Sequence, residues 1–99
     1  MPYAIEYSPD AVEHLEGLSV RQQRIIVDTV GEQLRFQPDV ETRNRKPMRP
    51  NPLAPWELRI GSLRVYYDIA EAPQSIVFIR AVGMKRGNRV RIGQEEIQL

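Results

Sequence analysis

The chain contains no cysteine, which excludes disulfides and thiolate metal sites. Its one histidine, His14, argues against a histidine-built zinc centre or a catalytic triad. No apolar run approaches the ~20 residues of a membrane span. The opening Met-Pro-Tyr-Ala-Ile-Glu-Tyr lacks the basic and then apolar succession of a secretory signal. These absences predict a soluble, cytoplasmic protein with no membrane partner. No glycine-rich phosphate loop, metal cluster or nucleophile–base pair is visible, so no cofactor and no metal is expected. Ninety-nine residues predict one domain, 1–99.

What is present is charge, unevenly spread. The formal net charge is only +1. Residues 1–20 carry four acids (Glu6, Asp10, Glu13, Glu16) and no Lys or Arg. Residues 43–91 carry eleven bases against three acids (Glu57, Asp68, Glu71), a local +8. A near-neutral total therefore does not argue against a polyanionic partner, because the local field governs a binding face. The plainer alternative is that these bases only solvate a surface.

Residues 3–7 alternate as a strand, with Tyr3, Ile5 and Tyr7 on one face. Ser8-Pro9 then opens a short helix, since Ser caps well and Pro is tolerated at the first helical position; Val12, Leu15 and Leu18 form its apolar stripe. Ser19-Val20-Arg21-Gln22 has the form of a capping box and starts a longer helix. There Val20, Ile26, Val27, Val30 and Leu34 recur at helical spacing, and Gly31 predicts close approach to the first helix. Residues 37–55 show no periodicity and hold five of the eight prolines with Arg43, Arg45, Lys46 and Arg49. They predict a stiff, ordered basic loop. Ile76–Val82 reads as a central strand ended by Gly83, followed by Lys85, Arg86, Arg89 and Arg91. Residues 92–99 are too short to assign, either a last strand or a frayed tail.

The most informative stretch is Trp56–Ile69. It alternates with period two on both sides of Gly61-Ser62, which predicts a β-hairpin with a two-residue type II′ turn. That turn sets Ile60 against Leu63, Arg59 against Arg64, Leu58 against Val65 and Glu57 against Tyr66. Two arginines directly opposed across a sheet repel, and a carboxylate and a phenol lie beside them. Such a grouping suits an anion, and phosphate above all. The predicted fold is α+β: a small antiparallel twisted sheet with an N-terminal helical hairpin packed on one face. The other face then presents Glu57, Arg59, Arg64 and Tyr66. RNA cleavage by the ribose 2′-hydroxyl needs a base, charge stabilisation at the phosphorane and an acid for the leaving oxygen. Glu57 could serve as base, Arg59 and Arg64 as phosphate clamp, Lys85 as charge or acid, and Tyr66 as a stacking surface. A simple Glu57–arginine salt bridge is the competing reading.

Three segments carry a family resemblance: Arg45-Lys46-Pro47-Met48-Arg49, the hairpin Trp56–Ile69, and Ala81-Val82-Gly83-Met84-Lys85-Arg86. With the opening Tyr-Ala-Ile-Glu-Tyr-Ser-Pro-Asp-Ala, the chain resembles the RelE/ParE toxin superfamily of bacterial toxin–antitoxin modules over roughly residues 3–90. The most specific part is aromatic-x-Leu-Arg-x-Gly-x-x-Arg-Val-x-Tyr. The resemblance implies a RelE-like toxin that cuts mRNA on the ribosome, without a metal, and is neutralised by a cognate antitoxin. Operator DNA would be reached only through that antitoxin. It implies catalytic roles for Arg64, Arg59, Lys85 and Glu57, and RNA contacts from Arg43, Arg45, Lys46, Arg49, Tyr66, Arg86, Arg89 and Arg91. Two positions depart from RelE: Glu57 replaces a lysine, and Arg91 lies nearest to a C-terminal tyrosine. The alternatives are a ParE-like, non-enzymatic inhibitor of DNA gyrase and a weakly active or inactive toxin that acts mainly in its antitoxin complex.

Overall fold

The structure, a computed structural model, describes residues 2–98. In chain order it contains β1 (Ala4–Tyr7), α1 (Pro9–Glu16), α2 (Val20–Gln33), β2 (Arg45–Pro47), β3 (Trp56–Ile60), β4 (Leu63–Ala70), β5 (Ile76–Arg86), β6 (Arg89–Ile92) and β7 (Glu95–Gln98). Six strands run β2-β3-β4-β5-β6-β7, all antiparallel, and β1 joins parallel to β5. A parallel neighbour needs a crossover, and α1 and α2 leave β1 to lie on one face of the sheet. No described helix is long and apolar enough to cross a membrane.

Both helices start where their caps predict. The Ser8 Oγ accepts from the Ala11 N–H with Pro9 at the first helical position, and Ser19 and Gln22 form the reciprocal capping box. α1 buries Ala11 and Leu15, and α2 buries Ile26 and Val30, with Leu34 just beyond its end. They meet Leu58, Leu63, Val65, Tyr67, Val77, Ile79 and Val82 from the sheet. Tyr3, Ile5 and Tyr7 pack on the same core from β1. Trp56 stacks on Tyr67 with ring centroids 6.0 Å apart, and the buried Tyr67 hydroxyl donates to the Pro38 carbonyl at 2.7 Å. Val12, Val20 and Val27 lie on the solvent side of their helices instead. Gly31 does not seat one helix on the other either, because a Cβ there would meet nothing within 4 Å.

The hairpin register is the predicted one, from Trp56 opposite Tyr67 to Ile60 opposite Leu63. Gly61 takes φ 58 while Ser62 stays out of the positive region, as a type II′ turn requires. β5 is longer than its apolar run and continues through Gly83 to Arg86. That glycine serves contact, not termination. A Cβ there would lie 2.6 Å from the Arg91 carbonyl oxygen and 2.8 Å from Ile92 Cγ1, so its absence lets β6 pass close over β5.

The basic loop is ordered, and part of it is a strand: β2 pairs with β3 at the sheet edge. Asn51 organises the remainder. Its side-chain amide donates to the carbonyls of Arg49 and Ala54, and its oxygen accepts from the N–H groups of Leu53 and Ala54. Residues 92–98 continue the sheet, with Ile92 ending β6 and β7 forming the last strand; Leu99 lies outside the described residues. Loop 48–55 and the β6–β7 hairpin together close the second sheet face over a smaller core of Ala54, Tyr66, Ala81, Val90 and Ile92.

Candidate nucleic-acid interface

Strand alternation places Glu57, Arg59, Arg64 and Lys85 on the second face, away from the helices. Lys46 pairs with Glu57 across β2–β3 and joins the same face. Four cations and one carboxylate therefore share one face of the sheet, with Lys46 beside Glu57 and with Arg59, Arg64 and Lys85 toward the turn end of the hairpin. The strands hold them there through the ladder, including the Lys85 N–H to the Ser62 carbonyl at 2.8 Å.

Within the cluster each charge has a different environment. Arg59 Nε lies 2.8 Å from Glu57 Oε1, and Glu57 is only 8% exposed while the Arg59 side chain is 44% exposed. The salt-bridge reading of Glu57 thus describes its ground state. Arg64 is 9% exposed; its Nη1 donates to the carbonyls of Gly61 and Leu63 at 2.6 and 2.8 Å, and its buried Nε meets no partner. Lys46 pairs with Glu41 at 3.3 Å. Among the described residues, neither Arg64 nor Lys85 forms an ion pair with a carboxylate. Charge that is not internally neutralised is what an incoming phosphate would use.

Three sequence expectations need correction. Tyr66 cannot stack on a base, because it is 0% exposed under Ala54, Ala81, Val90 and Ile92. Burial first, and then the Glu57 carboxylate, hold its phenol well above the ordinary range; its hydroxyl lies close to that carboxylate without reaching hydrogen-bond geometry. Arg45 is a structural residue, 9% exposed. It lies on the helix-facing side, where its Nη1 donates to the Gln33 and Phe36 carbonyls and so caps the C-terminal end of α2. Arg86, Arg89 and Arg91 do not join the cluster. The β5–β6 register sets Arg91 opposite Met84 and Arg89 opposite Arg86, on the helix-facing side. Arg89 pairs there with Glu96 at 3.3 Å. The open part of the second sheet face is therefore smaller than alternation alone implies, since loop 48–55 and β6–β7 cover Tyr66 and its neighbours. Arg43 and Arg49 are exposed on the loop.

Sequence reasoning passed over two residues. His14 sits in α1 against the stretch of β5 that neither β1 nor β6 pairs. There its Nδ1 accepts from the Val82 N–H at 3.3 Å, and Ser8 Oγ donates to the Arg80 carbonyl at 3.1 Å. Arg80 is the extra residue of a β-bulge, because Tyr67 pairs with Ile79 and Tyr66 with Ala81. A lone histidine and a bulge leave no local sequence signal.

No protein-family model matches the chain, and no curated protein matches it. Among solved structures, a chain in the crystal structure of the toxin–antitoxin complex RelBE2 from Mycobacterium tuberculosis is similar. The two share 25% identity and superpose with a TM-score of 0.73, over 86% of this chain and 93% of that one.

Proposed function

We propose that this chain, which is RelE-like in sequence and fold, is the toxin of a type II toxin–antitoxin module. Its activity is cleavage of mRNA on the ribosome, and a cognate antitoxin restrains it. The observation that carries this reading is that Lys46, Arg59, Arg64 and Lys85 share one sheet face with Glu57, which Arg59 contacts at 2.8 Å. In it, Glu57 takes the proton of the attacking 2′-hydroxyl once RNA phosphate competes for Arg59. The guanidinium of Arg64, carboxylate-free and anchored to the turn, stabilises the negative charge that develops at phosphorus. Lys85 gives a proton to the 5′-oxygen as its bond to phosphorus breaks, which leaves a 2′,3′-cyclic phosphate and a free 5′-hydroxyl. General acid–base help of this kind is worth ~10²–10⁴-fold, so an active site without histidine can work. Arg43 and Arg49 contribute backbone contacts that position the strand without reading sequence.

The test is primer extension on cellular mRNA after induction of the chain. In-frame cuts within translated regions are the expected result. Gyrase-dependent DNA damage without mRNA cuts would assign the ParE-like alternative. A third reading, a weak toxin acting mainly in its antitoxin complex, is favoured by one observation: Arg64 is buried and already bonded to the turn carbonyls. It predicts neither cuts nor DNA damage.

A further inference from the structure

A cleft of about 710 Å³ opens between α1, loop 48–55 and β5, away from the cation cluster. Its ionisable groups come from three elements: Asp10 and His14 from α1, Arg49 from the loop, and Asp68 and Arg80 from the sheet. The bulge makes this possible. It inserts Arg80 next to Ala81, so that one face receives a side chain the regular ladder would not supply. Arg80 lies over the Phe78 ring, 5.8 Å from its centroid, and its Nη2 is 3.6 Å from Asp68 Oδ2. Asp68 Oδ1 accepts the Ile69 N–H at 2.7 Å, which fixes the carboxylate while each oxygen keeps a free lone pair. Leu53, Ala54 and Ala81 supply an apolar wall.

We propose that this cleft binds one guanine nucleotide of single-stranded RNA. Two arginines and two aspartates leave the charge balanced, so a bare anion gains little there. A base with a phosphate attached fits better. Guanine alone among the four bases presents two adjacent N–H donors beside a carbonyl on one edge. A carboxylate takes both donors and a neighbouring guanidinium takes the carbonyl, which is the arrangement Asp68 and Arg80 offer. The apolar wall packs the base, and Arg49 at the rim meets the phosphate. The inference rests on the mRNA reading and adds to it a subsite that prefers guanine in the strand being cut.

The test is NMR titration of the full chain with the four nucleoside 5′-monophosphates and with ribose 5-phosphate. His14 is the reporter, because it lines the cleft and is the only histidine. GMP is expected to move its ring signals and to bind about fivefold tighter or more than AMP, CMP or UMP. Asp68→Asn should remove that preference, and Arg49→Ala should weaken all four alike. Arg80→Gln, at an exposed position, repeats the selectivity test should Asp68→Asn fail to fold. Equal binding of the four nucleotides, equal binding of ribose 5-phosphate, or no movement of His14 would overturn the proposal. This binding needs no ribosome and no cleavage. Guanine binding without mRNA cuts would remove the activity and keep the subsite; cuts without guanine binding would do the reverse.

Discussion

The two faces of one sheet are closed in different ways. The helix-facing side is sealed by α1 and α2 over the larger apolar core; its buried Tyr67 hydroxyl is bonded to a carbonyl, while Tyr7 Oη and Arg45 Nε are buried there without a partner. The second side is sealed by a proline-rich loop and a short hairpin, over a core that also takes in Glu57, Arg64 and Tyr66. Two buried atoms there, Arg64 Nε and Tyr66 Oη, have no partner. Burying polar groups without partners costs stability. Unpartnered atoms thus lie on both faces; what separates them is that the first carries the larger apolar core, while the second buries Glu57 and Arg64, which do not ion-pair with each other. Buried charge of this kind concentrates at functional sites.

The contrast predicts that substitutions divide by face. Leu58→Ala, in the helix-facing core, should produce the largest loss, ~2–5 kcal/mol by urea denaturation, because it leaves a cavity among packed side chains. A much smaller loss would mean that the helices are loosely seated. Gly83→Ala comes next, with a loss of ~1–3 kcal/mol from overpacking. Its added methyl must push β6 away from β5, so the amide signals of Val90 and Ile92 should move while those of Ile26 and Val30 stay.

Two adjacent tyrosines sharpen the comparison further. Tyr67→Phe breaks the 2.7 Å bond to Pro38 and orphans its carbonyl, which should cost ~1–2 kcal/mol. Tyr66→Phe removes a hydroxyl that has no partner and should cost about nothing. Equal losses at both positions would erase the distinction between the faces. The smallest effect concerns alkaline pH. Tyr3 is pushed up to about 12, chiefly by its hydrogen bond to Glu71, and Tyr7 to about 12 by burial. Burial raises Tyr66 and Tyr67 as well. Folded-state values above the ordinary ~10 mean that these groups leave stability unaffected below pH ~10 and reduce it as the pH climbs toward about 12. Phenolate absorbance should therefore rise together with unfolding; a rise centred near pH 10 in the folded protein would contradict this.

Much of the fold was legible because its signals are local. The Ser8-Pro9 and Ser19–Gln22 caps and the Gly61-Ser62 turn each fix a boundary or a register within a few residues. β2 escaped notice because three residues ending in Pro47 look like loop until β3 is beside them. The fate of the second face was hidden for a related reason. Alternation says which side Tyr66 takes, but not that Leu53, Val90 and Ile92 from distant segments will cover it. Gly83 reads as a stop, since nothing local reveals how closely the end of β6 packs against it. Of the candidate site residues, those on the hairpin ladder, Glu57, Arg59, Arg64 and Tyr66, lie on the face that alternation assigns them; Lys85 joins them through the β4–β5 register, which alternation within the hairpin does not reveal. Arg45, Arg86, Arg89 and Arg91 are candidates by charge and by family resemblance, and neither carries information about facing.

The most direct measurement of whether the second face carries the activity is cleavage of ribosome-bound mRNA in a purified translation system. The wild-type chain is compared with the double variant Arg59→Ala/Lys85→Ala, after both are shown to unfold at similar urea concentrations. In-frame cuts by the wild type and a loss of ~10²-fold or more in the variant are expected. Undiminished cutting by the folded variant would contradict that expectation.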